Sequence, residues 1–73
     1  MKVYTLTETI DYGRSSILGV YATAVRAKEA CWQAAEGWAQ PDESIESTED
    51  GVRLSINVGG ARFHVDEHEV VPA

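Results

Sequence analysis

Residues 44–66, SIESTEDGVRLSINVGGARFHVD, decide the fold of this chain. Two runs in it alternate apolar and polar residues with a period of two: Val52–Val58 (VRLSINV) and Ala61–Asp66 (ARFHVD). Alternation of this kind belongs to a strand with one face buried. Gly59-Gly60 between the runs is a two-residue hairpin signal, and Asp50-Gly51 ahead of the first is another. A two-residue loop at Gly59-Gly60 sets Ile56 opposite Phe63 and Leu54 opposite Val65 on one side of the ladder. On the other side it sets Asn57 opposite Arg62, Ser55 opposite His64 and Arg53 opposite Asp66. A two-residue loop at Asp50-Gly51 sets Ile45, in a short strand Ser44–Glu49, opposite Ile56. Apolar pairs with apolar and the facing charges are opposite, as a stable register requires. The last strand is expected to run on towards Val70.

Working back, residues 24–38 (AVRAKEACWQAAEGW) have helical composition, with Thr23 placed to cap the N-terminus and Gly37 and Pro41 marking the exit. At 100° per residue Ala27, Cys31, Ala34 and Trp38 share a stripe edged by Ala24, Ala30 and Ala35. A stripe of such small residues lets a helix lie close to a sheet, with Trp38 filling one end of the core. Ahead of the helix, residues 2–8 (KVYTLTE) and 17–22 (ILGVYA) are two further strands, joined through a turn at Asp11–Ser16. The order is β-β-α-β-β-β, and the class is α+β: a small antiparallel sheet with one helix packed on one face, in a single domain spanning residues 1–73.

The chain has 73 residues, near the lower limit for a self-sufficient core. Twelve acidic residues against six basic ones give a formal charge of −6. The basic residues are scattered, which argues against direct contact with nucleic acid or an anionic membrane surface and leaves a basic protein surface as the expected partner. The only cysteine, Cys31, has no partner for a disulfide within the chain. Neither a signal-peptide core nor a transmembrane stretch is visible, so the expected location is the cytoplasm.

No constellation for catalysis stands out, and the chain is not expected to be an enzyme or to need a cofactor. His64 and His68 are four apart, but on a strand that spacing separates them by roughly 13 Å, too far to share an ion. No metal site is expected. Cys31, on the inner helix face, is expected to be inert.

Two features point to protein binding. Trp32 lies about 140° around the helix from Ala27, near Val25, Glu29 and Glu36, an arrangement like an interface anchor with a polar rim. In addition, one helix covers only one sheet face. If Tyr4, Leu6, Leu18 and Val20 point inward, then Val3, Ile17 and Tyr21 share the open face with Arg53, Asn57, Arg62 and His64. Such a face suits a partner protein or a second copy of the chain. A different reading places a small, nucleotide-like ligand on the Asp11–Ser16 turn of an oligomer, held by Tyr12, Arg14, Ser15 and Ser16.

The opening Val3-Tyr4-Thr5-Leu6-Thr7, then Asp11-Tyr12-Gly13, then Ser15-Ser16-Ile17-Leu18-Gly19-Val20-Tyr21 and an alanine-rich helix resemble a group of very short bacterial and phage proteins of unknown function. In them a hairpin carrying a phrase like DYG-x-SSILGVY precedes a helix of alternating alanine and charge. The likeness covers about the first half of the chain. It implies a phage or prophage accessory protein and carries no active residues with it. The expected function is a small acidic binding module that docks on a host protein, such as a defence or nucleic-acid enzyme, and inhibits or modulates it. A ligand-sequestering oligomer and a purely structural homodimer are the alternatives.

Overall fold

The computed structural model describes residues 1–10, 13–40 and 42–71. Within them five strands form one antiparallel sheet and a single helix crosses it. The strands are β1 (Lys2–Ile10), β2 (Arg14–Tyr21), β3 (Ile45–Asp50), β4 (Arg53–Val58) and β5 (Ala61–Glu69), and the helix is α1 (Ala24–Trp38). Across the sheet the order is β2-β1-β5-β4-β3. The two hairpin systems therefore meet at β1 and β5, which pair from Lys2↔Glu69 to Thr9↔Arg62. This long central pairing joins the two halves of the sheet and leaves β2 and β3 as its edges.

Both bounds of α1 agree with the helix expected from the sequence. Thr23 has extended backbone angles, and its Oγ1 accepts from the Arg26 amide at 3.2 Å. That satisfies one of the amides a helix start leaves free. At the other end the Ala39 amide donates to the Ala35 carbonyl at 3.0 Å before the chain turns extended. Ala27, Cys31 and Ala35 are fully buried against the sheet. With side chains this short the helix axis can approach the strands, so the volume of the core comes from the sheet. Leu6, Leu54, Ile56, Val58, Phe63 and Val65 supply it, all buried. Trp38 overhangs the end of this core, partly exposed, with its ring meeting Phe63 edge-on at 6.5 Å between centroids and 67° between planes.

The β4–β5 register is the expected one, with Leu54↔Val65, Ser55↔His64, Ile56↔Phe63 and Asn57↔Arg62. At the neighbouring hairpin the expectation needs correction. Asp50 pairs with Arg53, so the two loop residues are Gly51 and Val52, and Ile45 faces Val58 instead of Ile56. Gly51 has φ +62°, and glycine at the first loop position is what a type II′ turn requires. The slip is by two residues, so every side chain keeps its face. Placing the loop one residue later also sets the Asp50 carboxylate beside the Arg53 strand position.

The β1–β2 hairpin is the second correction. β1 continues to Ile10 and β2 begins at Arg14, so Arg14, Ser15 and Ser16 belong to a strand and not to a turn. Tyr4 pairs with Tyr21, Thr5 with Val20 and Leu6 with Gly19; beyond that Thr7 pairs with Ile17, leaving Leu18 as the extra residue of a β-bulge. Tyr21 and Gly19 thus face the helix, while Val20 and Ile17 stand on the open side. The expectation that Leu18 and Val20 point into the core and Tyr21 outward is overturned. Tyr21 packs against the core half-buried, whereas Leu18 and Val20 are exposed.

Candidate interaction surface

The face of the sheet opposite α1 is uncovered by any described residue. From β2 across to β3 it presents Ser15, Ile17 and Val20; Val3, Thr5, Thr7 and Thr9; Arg62, His64, Asp66 and His68; Arg53, Ser55 and Asn57; and Glu46, Thr48 and Asp50. The pairing register alone fixes this list, since alternate residues of a strand share a face. The surface is graded. Its β2 side is apolar, with Ile17 66% and Val20 60% exposed. A column of threonines follows on β1, and the arginines and histidines stand on β4 and β5.

Several side chains are fixed by local bonds. Thr5 Oγ1 lies 2.9 Å from His68 Nε2, and Thr9 Oγ1 lies 3.0 Å from Ser15 Oγ. Arg62 Nε donates to Asn57 Oδ1 at 3.1 Å, across the pair its register creates. His64 Nε2 stands 3.2 Å from Asp66 Oδ2 on the same strand, while its Nδ1 is buried without a hydrogen-bond partner among the described residues. A buried ring nitrogen without a partner costs free energy, which makes the His64 ring the least settled side chain of the face. Around it a shallow concavity of about 400 Å3 opens between β3 and β5, bordered by Thr48, Asp50, Arg53, Ser55, Arg62 and Asp66.

Charge is unevenly divided between the two sides. The open face carries Arg53 and Arg62 against Glu46, Asp50 and Asp66 and is close to neutral, although the chain as a whole has a formal charge of −6. Most of the excess negative charge therefore lies on the helix side and its loops, where Glu29, Glu36 and Asp42 are exposed. A nearly neutral face set in an acidic protein repels an acidic partner less than the rest of the surface does.

The residues singled out from the sequence do not all converge. Ile17 is on the open face; Tyr21 is not. Trp32, 36% exposed, and Val25, 66% exposed, lie on the outward side of α1 with Glu29 and Glu36, on the other side of the sheet from Ile17. They form a separate patch. Of the four residues expected to hold a small ligand, Tyr12 lies outside the described residues. Arg14 and Ser16 face the helix side and Ser15 the open side, so these three diverge. His64 and His68 sit on β5, each with its own partner, and no group of three or more His, Cys, Asp or Glu side chains among the described residues could hold a metal ion. Cys31 is buried, and desolvation pushes its thiol up to about 11.

The open face extends beyond the sequence-based site residues, and its β1 threonines and Val20 are the clearest cases. The Thr5, Thr7, Thr9 column was visible in the alternation of YTLTET, where polar β-branched residues mark the wet side of a strand. Val20 carried no such signal, because its side is set by the bulge at Leu18. No helix of the described residues is long and apolar enough to cross a membrane. No protein-family model, curated protein or solved structure matches this chain.

Proposed function

We propose that this chain is a non-catalytic protein-binding module that docks through its open sheet face, acting as a phage-type accessory protein on a host protein. The observation that carries the reading is the graded open face: exposed Ile17 and Val20, a threonine column, and near-balanced charge in a chain of formal charge −6. Apolar anchors beside polar groups that can pair are the general make-up of a recognition surface. The surrounding acidity suits a target with a basic rim, which attracts at long range and weakens with salt. The accessory role rests on the resemblance of the first half of the chain to short phage and bacterial proteins. A defence or nucleic-acid enzyme, whose basic groove an acidic protein can occupy, is the target class favoured by this chemistry.

The test is retention of host proteins on the immobilised chain, compared across variants. Thr7→Glu and Ser55→Glu place new carboxylates at half-buried positions in the middle of the open face. Retention is expected to fall at least tenfold with both together and to persist with Trp32→Ala, which alters the opposite side. Retention that ignores the open-face pair, or no retained protein at low salt, rejects the reading.

A further inference from the structure

The two edges of the sheet differ in chemistry. β3, at one edge, carries Glu46, Glu49 and Asp50 within six residues. β2, at the other edge, carries no charge from Ser15 to Tyr21, and its Ile17, Leu18 and Val20 are 66%, 46% and 60% exposed. An edge strand offers a row of unpaired backbone donors and acceptors, and charged side chains are one common means of preventing another strand from adding there, β-bulges being another. One edge of this sheet is protected by charge and the other is not.

Three ways of joining copies edge to edge follow, and the side chains separate them. Antiparallel pairing of β3 with β3 at full overlap sets Glu46 opposite Glu49 twice, and like charges directly opposite destabilise a ladder. Pairing β2 with β3 is heterologous; it leaves a free edge at each end and grows into a filament. Antiparallel pairing of β2 with β2 is isologous and closes after two copies. At full overlap Arg14 then faces Tyr21, Ser15 faces Val20, Ser16 faces Gly19 and Ile17 faces Leu18 of the second copy, with no like charges meeting.

We propose that two copies of this chain pair through β2 about a two-fold axis between Ile17 and Leu18, joining their sheets into one of twice the width. The β-bulge at Leu18 then lies at the axis in both copies. A bulge increases local twist, and the two-fold imposes the same twist on both strands where they meet. Ile17, Leu18 and Val20 of the two copies form one apolar cluster. Ile17 and Val20 belong to both surfaces, but Thr7 and Ser55 lie on β1 and β4 away from this seam, so dimerisation is read from the β2 variants and partner binding from Thr7→Glu with Ser55→Glu.

Mass measured in solution at about 100 μM, above the micromolar Kd that a small interface implies, is expected to be twice that of the chain. Leu18→Lys brings two charges together at the axis and is expected to give a monomer with an unchanged circular dichroism spectrum. Thr48→Lys, the same charge on the β3 edge, is expected to leave the dimer intact. If Leu18→Lys unfolds the chain, cross-linking decides. A mixture of Ile17→Cys and Leu18→Cys chains treated with diamide is expected to give a covalent dimer joined 17 to 18, and Ser47→Cys on β3 to give none. A monomer at that concentration, a series of higher oligomers, a dimer that survives Leu18→Lys, or a mixture that fails to cross-link overturns the proposal.

Discussion

Lys28 Nζ lies 2.7 Å from Glu49 Oε2 and donates a second hydrogen bond, also 2.7 Å, to the Gly51 carbonyl. One helix side chain thereby holds both the end of β3 and the loop that follows it. β3 needs this tie, because it is an edge strand with no residue in the buried core and only Ile45 packed against it. The Lys28 side chain is 22% exposed and Glu49 56%, so the pair is partly screened and contributes modestly. Lys28→Met keeps the aliphatic stem and removes the charge. It is expected to lower unfolding free energy by about 0.5–1 kcal/mol. Urea melts at low and high salt check this: the difference between the two proteins narrows as salt rises. Amide exchange at Glu49–Arg53 is expected to quicken more than exchange in β1 or β5.

Cys31 predicts how stability responds to alkali. Burial raises its thiol from 9.0 to about 11 in the folded chain. Well below pH 9 the thiol is protonated in both states and contributes no pH dependence. Above it the unfolded chain ionises first, so stability falls as pH climbs towards 11 and then levels. The shift corresponds to a loss of about 3 kcal/mol at ~1.4 kcal/mol per unit. Cys31→Ala removes this component, so the difference in stability between wild type and variant narrows through that window. Denaturant midpoints of both proteins across the range give the difference directly, with the titration of Lys and Tyr common to the two. The same burial predicts that Cys31 reacts with a thiol reagent at pH 8 only through opening of the fold, so that the reaction quickens with added denaturant.

The parts of the fold legible in the sequence are those where local chemistry and long-range packing agree. Thr23 and the run of small residues place α1, and Gly59-Gly60 sets the β4–β5 register residue for residue. Asp50-Gly51 located a turn but not its loop pair: with glycine taking the first loop position, the ladder slid by two and the faces survived. On β2 the sequence places Ile17 on its true, open side but not Val20 or Tyr21, because Ile17–Tyr21 is apolar almost throughout and no alternation marks a face. A bulge reverses parity at one point, and nothing in Ile17-Leu18-Gly19 announces it. This misplacement carried directly into the site, exchanging Tyr21 for Val20 on the open face.

Gly37 sits one residue before the end of α1, and a Cβ built on it meets nothing within 4 Å. Glycine in a helix costs about 0.5–1 kcal/mol relative to alanine, through the freedom it retains in the unfolded chain. Gly37→Ala is therefore expected to stabilise by up to about 1 kcal/mol, seen as a higher urea midpoint at unchanged slope. A destabilised variant would mean that the last turn of α1 is not held as helix in solution.

Gly19 makes the opposite prediction. It faces the helix side opposite Leu6, and the Tyr21 ring folds back along β2 to cover it: a Cβ there would lie 2.6 Å from the Tyr21 hydroxyl and 2.9 Å from two ring carbons. The ring occupies the space that a side chain at residue 19 would fill, on the flank of the core. Gly19→Ala must push the ring outward, which uncovers the Leu6 side of the sheet and is expected to cost about 1–2 kcal/mol. Tyr21→Ala removes the cover without the clash and is expected to cost a similar amount through exposed apolar surface. Because the two changes act on one contact, the double variant is expected to be less destabilised than the sum of the singles. Additive costs would place the Tyr21 ring elsewhere than over Gly19.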